Sequence, residues 1–178
     1  IFSEICPACK KIILTIMNSN DRINHLIYPK GSNRNPTPTQ VPNKFSNDYK
    51  EACLVINDSP KASAALSRRC LQNLLRESAG VKHSELSKEI QEVLDSNKLP
   101  SDISESIDYI RNIGNFSAHP NKSSSSGEII DVEPGEAEWC LDVLEMLFDF
   151  YFVRPEVIKN KRDELNKKLT EAGKPPMK

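Results

Sequence analysis

Apolar residues recur at helical spacing along most of the chain, and the pattern is clearest between residues 107 and 120. Three isoleucines at three-residue intervals, Ile107, Ile110 and Ile113, mark the buried stripe of a helix. Pro120 ends this helix, because the residue before a proline is pushed out of helical geometry. The stretch therefore predicts an amphipathic helix that carries its polar groups on a separate face.

Further segments repeat the helical spacing and carry start or stop signals. Ser59 is a suitable N-cap residue, Pro60 suits the first helical position, and Gly80 suits the end of the same helix. The helix that ends at Pro120 begins at Ser101, and the other predicted helices cover residues 46–57, 60–79, 84–97, 133–153 and 155–172. We therefore expect a mainly α fold, a bundle of five or six helices with the apolar segment 133–153 at its centre and Trp139 buried.

The N-terminal region has a different pattern from the helical body. Lys11–Met17 and residues 23–28 are each typical of a short strand, so a small β-hairpin is expected there. Four prolines between Pro29 and Pro42, among Gly, Ser, Asn and Thr, indicate an extended linker. The predicted organisation is a β and cysteine element at 1–28, a linker at 29–44, a helical domain at 45–153, and a basic C-terminal helix and tail at 154–178.

The five cysteines divide into two groups. Cys6 and Cys9 are separated by two residues, the spacing that supplies half of a tetrahedral zinc site and is found in zinc knuckles. Either further ligands upstream of Ile1, which we expect to be the edge of a longer chain, complete a zinc site in the full-length protein, or the pair forms a bare turn. The other three cysteines fall within helical patterns. An odd count without a disulfide framework favours a reducing compartment, and hence the cytoplasm.

The net charge of −1 conceals three regions of opposite sign. Residues 1–44 carry six basic and two acidic residues, 45–153 carry ten and nineteen, and 154–178 carry eight and four. The acidic centre argues against a broad nucleic-acid groove, and it favours a small basic pocket or a partner of opposite charge. No apolar run approaches the ~18 residues of a membrane span, and the N-terminus lacks the pattern of a signal peptide.

Polar side chains on the helix that begins at Ser101 are the first candidate site. Arg111, Asn115 and His119 are spaced by four residues, which places a guanidinium, an amide and an imidazole on one helical face. Such a group could bind an anion or transfer a proton. The alternative is a helix end whose polar side chains only cap and pack against the chain.

Two charged stripes occur on other predicted helices. The helix 60–79 carries Arg68, Gln72 and Arg76 on one stripe with Arg69 beside it, which indicates either a phosphate-binding surface or a salt-bridged face. The helix 133–153 carries an acidic stripe made of Glu138, Asp142, Glu145 and Asp149. This stripe is either a solvent face or a docking surface for the arginine stripe or for a second copy of the chain.

Several motifs in order give a family resemblance. Residues 48–53, 59–72, 110–120 and 136–139 together resemble the bacterial DUF4145 family, and the resemblance covers roughly residues 48–153. That family is similar to the HEPN helical domains of prokaryotic defence and toxin systems. The resemblance implies a HEPN-like helical bundle, usually dimeric, which serves a defence or regulatory protein as an interaction or sensing module with a protein partner.

The same resemblance implies an alternative, a metal-independent endoribonuclease that binds RNA or a nucleotide. Active HEPN ribonucleases carry an Arg, often followed by a polar residue, and then a His. Arg111, Asn112 and His119 match these positions, although the seven residues between Arg111 and His119 are one more than usual. The His would move protons at the ribose 2′-hydroxyl and the leaving oxygen, the Arg would stabilise charge on the phosphate, and Asn112 or Asn115 would orient it.

Overall fold

The computed structural model describes residues 1–17, 24–118, 121–122, 129–130 and 132–177. Side chains are described in the same ranges except at 24–25, 112–118, 121–122 and 129–130. The chain forms two compact units, residues 1–35 and residues 36–178. The division between them falls within the predicted linker at 29–44.

The N-terminal unit contains a three-stranded antiparallel sheet. Its strands are β1 (Phe2–Ile5), β2 (Ile12–Met17) and β3 (Asn24–Tyr28), in that spatial order. The hairpin of β2 and β3 agrees with the sequence prediction, whereas β1 was not predicted. A strand of four residues has too short an alternation to identify, and it becomes visible only through backbone pairing such as Ile5 with Ile12.

The second unit is mainly helical, as predicted. Its helices are α1 (Asn43–Val55), α2 (Pro60–Leu74), α3 (Leu86–Asp95), α4 (Ser101–Ala118), α5 (Pro134–Phe148) and α6 (Arg154–Glu171). α2 and α5 each continue into a π-helical turn, at Leu75–Ala79 and Asp149–Val153 respectively. A short ladder pairs β4 (Asn121–Lys122) with β5 (Ile129–Ile130). No helix in the described ranges combines the length and the hydropathy needed to cross a membrane.

Local signals explain the bounds of α2. The hydroxyl oxygen of Ser59 accepts a hydrogen bond from the backbone N–H of Ala62 at 3.2 Å, and Pro60 occupies the first turn. The helical run ends where Gly80 adopts a left-handed conformation with φ of 74°. Both features confirm the start and stop predicted from the sequence.

Two other bounds differ from the prediction. α1 begins at Asn43, before the predicted caps, because the carbonyl of Pro42 accepts the N–H groups of Phe45 and Ser46 at 3.0 and 3.1 Å. Burial of the Phe45 ring adds a packing reason for this early start. Pro155 does not restart the chain, because α6 continues directly from the π-helical turn that ends α5.

The core of this unit lies where α2 packs between α1 and α5, with α3 and α4 closing it. α5 is central as predicted, and it contributes Leu141, Leu144 and Leu147, all fully buried. Phe148 of α5 meets the ring of Tyr49 of α1 edge to face, with centroids 5.5 Å apart. Trp139 is the exception, because it is only partly buried at the margin of the core.

Candidate functional site

Of the polar residues that form the first candidate site, the structure describes the side chain of one, Arg111. Its guanidinium is about one-third exposed and joins two helices. Nη2 lies 2.7 Å from a carboxylate oxygen of Asp108, one turn earlier on α4, and Nη1 donates a hydrogen bond to the amide oxygen of Gln91 on α3. A guanidinium has five N–H donors, so this arrangement leaves donors that could bind an anion.

The other members of this site can be placed only in part. Asn112 and Asn115 lie on α4, which runs through Gly114 without a break as far as Ala118. Nothing is described of their side chains, and His119 lies outside the described residues. The convergence of the Arg111 guanidinium with the His119 imidazole therefore stays a prediction.

Arg68 reaches from α2 to α4. Its Nη1 donates a hydrogen bond to the backbone carbonyl of Ile110 at 3.3 Å, and the side chain is half-buried. Burial lowers the pKa of Arg68, because the charged form loses hydration. The carbonyl that Arg68 binds belongs to the residue directly before Arg111 on α4, but the guanidinium groups of Arg68 and Arg111 have different partners.

Arg69 of α2 and Arg76 of the π-helical turn after it, the two remaining arginines of the predicted stripe, bind other elements. Arg69 donates two hydrogen bonds to the carboxylate of Asp48 on α1, from Nε at 3.0 Å and from Nη2 at 2.7 Å. Hydrogen bonding to Asp48 raises the pKa of Arg69. Arg76 donates to Glu89 on α3 at 2.8 Å and to the carbonyl of Ser84 at 3.1 Å. The three arginines of the predicted phosphate-binding surface thus bond to three different helices. Their binding of phosphate stays a prediction.

Two members of the acidic stripe on the last core helices have described partners. Glu145 accepts a hydrogen bond from the hydroxyl of Tyr49, and Asp149 pairs with Arg154. The pKa of Tyr49 is raised, mainly because the side chain is buried and to a smaller extent because its hydroxyl donates to Glu145. These two carboxylates therefore stabilise the contacts of α5 and its π-helical turn with α1 and α6.

Cys6 and Cys9 lie in the tight turn between β1 and β2. The N–H of Cys6 donates to the carbonyl of Lys11 at 2.8 Å, and the N–H of Lys10, at φ of 60°, donates back to the carbonyl of Cys6 at 2.9 Å. Hydrogen bonds from the backbone of Cys9 and then of Ala8 lower the pKa of Cys6. The turn suits thiolate chemistry, but among the described residues no three His, Cys, Asp or Glu side chains cluster as metal ligands.

A groove that the sequence reasoning missed lies between α4 and the N-terminal part of α5. It has a volume of about 680 Å³. Its lining consists of Asp102, Glu105, Ser106, Tyr109, Gly135, Glu136 and Trp139. Spacings of three and four residues from Asp102 through Tyr109 do place those side chains on one face of α4, so half of the lining was visible as a pattern. The lining residues that come from α5, Gly135, Glu136 and Trp139, could not be recognised from this spacing.

Comparison with protein families identifies the family of the chain. A family model described as "Domain of unknown function (DUF4145)" matches residues 50–168, about two-thirds of the chain. The matched region extends from within α1 through most of α6. No curated protein and no solved structure matches the chain significantly.

Proposed function

We propose that this chain, which belongs to the DUF4145 family, is an interaction module that associates with a second copy of itself through α6. The proposal is based on the solvent exposure of this helix. None of its eighteen residues, all of which are described, is buried. Its main contacts are with the π-helical turn directly before it. Most helices in proteins are stabilised by packing an amphipathic face, so α6 requires a partner surface.

The surface of α6 that would contact the second copy contains exposed apolar side chains. Ile158 is 65% exposed and Leu165 is 49% exposed, and a separation of seven residues places both on one face of α6. Val157, 41% exposed, lies beside them. Burial of the exposed half of each such side chain contributes about 0.7–1.5 kcal/mol, so the six side chains of two copies together contribute roughly 4–9 kcal/mol to association.

Charge selects a second copy as the partner. Residues 45–153 carry nineteen acidic and ten basic residues, whereas residues 154–178 carry eight basic and four acidic ones. The C-terminal segment of one copy is thus complementary to the body of another. A two-fold axis would form this contact twice, because each copy presents both surfaces.

The extent of the family supports the same role. The family model reaches residue 168, so α6 is part of the shared domain rather than a tail outside it. The resemblance to HEPN domains, which are usually dimeric, is a second support. The setting in a bacterial defence or regulatory protein, with sensing of a further partner, rests on that resemblance.

Molecular mass in solution tests the proposal. Light scattering after size-exclusion chromatography is expected to give the mass of a dimer, and Ile158→Gln combined with Leu165→Gln is expected to give a monomer that remains folded by circular dichroism. The control is Asn160→Gln combined with Lys167→Arg, which changes the opposite face of α6 without changing charge. A monomeric parent chain, or a variant pair that stays dimeric, would refute the role of α6.

A second candidate is the endoribonuclease implied by the resemblance. One observation supports it: the partly exposed guanidinium of Arg111 retains donors beyond those used by Asp108 and Gln91. In that role Arg111 would stabilise negative charge on a scissile phosphate, and His119 would act as acid or base. Because Asp108 and Gln91 of the same chain already bind the Arg111 guanidinium, the interaction module is the first candidate and the ribonuclease is the second.

A further inference from the structure

The groove between α4 and α5 combines an aromatic corner with acidic side chains. The rings of Tyr109 and Trp139 meet edge to face, with centroids 5.8 Å apart and planes at 80°. Three acidic residues, Asp102, Glu105 and Glu136, line the same groove. Aromatic faces and carboxylates both attract cations, so this combination of side chains is suited to a positively charged ligand.

The aromatic corner is held in place by the fold. The indole Nε1–H of Trp139 donates to the backbone carbonyl of Ser106 at 3.3 Å. The hydroxyl of Ser106 in turn donates to the carbonyl of Asp102 at 2.7 Å. The polar edge of the indole is therefore directed at α4. Tyr109, which is 51% exposed, forms the second wall.

The acidic residues come from both helices that form the groove. Asp102 and Glu105 lie on the first turns of α4, ahead of Tyr109, and Glu136 lies in the first turn of α5. One oxygen of Glu136 accepts the backbone N–H of Glu133 at 3.0 Å, which orients that side chain. Within the part of the chain that the structure describes, no Lys or Arg forms an ion pair with Asp102 or Glu105.

We propose that this groove is a binding site for a small organic cation, an alkylammonium ion whose charged head meets the carboxylates and whose carbon chain rests against the two rings. The volume of about 680 Å³ lies in the range of small-ligand sites. A bare Mg²⁺ or Ca²⁺ ion prefers a shell of oxygen ligands and gains little from aromatic walls. The proposal is independent of the association through α6.

The ligand assignment can be tested by fluorescence, because Trp139 is the only tryptophan in the sequence. The full chain is titrated with n-butylammonium chloride at constant ionic strength. Parallel titrations use n-butanol, which has the same apolar chain without the charge, and MgCl₂. A saturable change in Trp139 emission is expected for butylammonium, with an apparent affinity at least roughly tenfold above that for either control.

Variants connect the signal to the groove. Glu105→Gln and Asp102→Asn are each expected to weaken butylammonium binding by roughly three- to tenfold. Tyr109→Leu is expected to weaken it similarly, whereas Tyr109→Phe retains a ring and is expected to bind nearly as the parent does. Glu85→Gln, which removes an exposed carboxylate outside the lining, is the matched control and is expected to change nothing.

Four outcomes would overturn the proposal. They are the absence of a saturable signal, equal binding of n-butanol, equal binding of Mg²⁺, and a loss of affinity in Glu85→Gln as large as that in Glu105→Gln. A peptide with a central lysine is titrated as well. Tighter binding of that peptide than of butylammonium would replace the small cation with a protein ligand.

Discussion

Arg76 and Glu89 form an ion pair in which the carboxylate is fully buried. Both Nε and Nη2 of Arg76 approach the same oxygen of Glu89, at 2.8 and 2.7 Å, and the backbone N–H of Ser84 donates to that oxygen at 2.7 Å. Among the described residues the second oxygen of Glu89 has no hydrogen-bond partner. The pair ties the π-helical turn after α2 to α3, and it leaves little tolerance for loss of the cation.

Removal of the arginine from this pair is expected to be costly. Arg76→Met leaves the buried Glu89 carboxylate without its charge partner, so we expect a loss of about 3–5 kcal/mol in the free energy of unfolding. Adding Glu89→Leu should recover most of that loss, because an apolar pair needs no compensation. Urea denaturation measures both effects. The exposed Arg69–Asp48 pair supplies the control, and a cost for Arg69→Met as large as that for Arg76→Met would contradict the argument.

Thiol reactivity should separate the cysteines into two classes. Burial raises the pKa of Cys140 to about 11 and that of Cys70 to about 12, so at pH 8 only ~0.1% or less of either thiol is the reactive thiolate. Cys6 has a lowered pKa, and Cys9 is exposed. Iodoacetamide with peptide mass mapping is expected to label Cys6 and Cys9 in the native chain. Labelling of Cys70 or Cys140 at the same rate would show that the core opens.

The same buried thiols predict a loss of stability in alkali. Their pKa values are raised in the folded chain above the ordinary value of 9.0, so the unfolded chain releases their protons first as pH rises. The stabilisation is complete below pH 9 and declines between about pH 9 and 12, by up to ~1.4 kcal/mol per pH unit for each thiol. Cys140→Ala should flatten the decline measured by urea denaturation. Cys9→Ala should leave its slope unchanged.

A core truncation tests the placement of α5. Leu144 is fully buried, so Leu144→Ala is expected to lower the free energy of unfolding by about 2–5 kcal/mol through lost burial and a residual cavity. Leu54→Ala makes the same chemical change at a partly exposed position of α1 and is expected to cost less. Equal midpoint shifts in thermal denaturation would mean that α5 is not the central helix.

Cleavage of RNA separates the two candidate functions. The chain is incubated with mixed RNA in EDTA, and under the ribonuclease hypothesis Arg111→Gln and His119→Ala should each reduce cleavage by roughly 100-fold or more. Arg69→Gln removes a guanidinium that is bound to Asp48 and is expected to retain the parent rate. Cleavage that survives His119→Ala would remove the ribonuclease assignment. The interaction module alone predicts no cleavage.

Features built from neighbouring residues could be predicted well from the sequence. The cap at Ser59, the stop at Gly80 and the central position of α5 all depend on side chains within a few turns of one another, or on the apolar content of one segment. The bounds of α1 were less accurate, because its start depends on hydrogen bonds to the carbonyl of Pro42 and on burial of Phe45, whose ring stacks on the distant Phe152. Strand β1 was missed for a related reason, since its pairing rather than its composition defines it.

The candidate sites show the limit of spacing arguments. Helical spacing groups Arg68, Arg69 and Arg76 on α2 and the π-helical turn that continues it, but spacing describes only the helix that carries them. Their actual partners are supplied by three other helices, so the stripe is divided among separate contacts. The groove beside Trp139 was overlooked because its two walls come from α4 and α5, some thirty residues apart in sequence.

Local sequence patterns were sufficient for the helical class, the order of α1 to α6, the family and the charge asymmetry between body and C-terminal segment. These properties follow from local periodicity, capping chemistry and composition, which act over a few residues at a time. The packing of the helices was needed to establish which group each arginine bonds to, which apolar side chains remain exposed on α6, and where an aromatic corner lies beside acidic residues. Those outcomes depend on the packing of helices that are distant in the chain, and packing is a property of surfaces in space rather than of intervals in sequence.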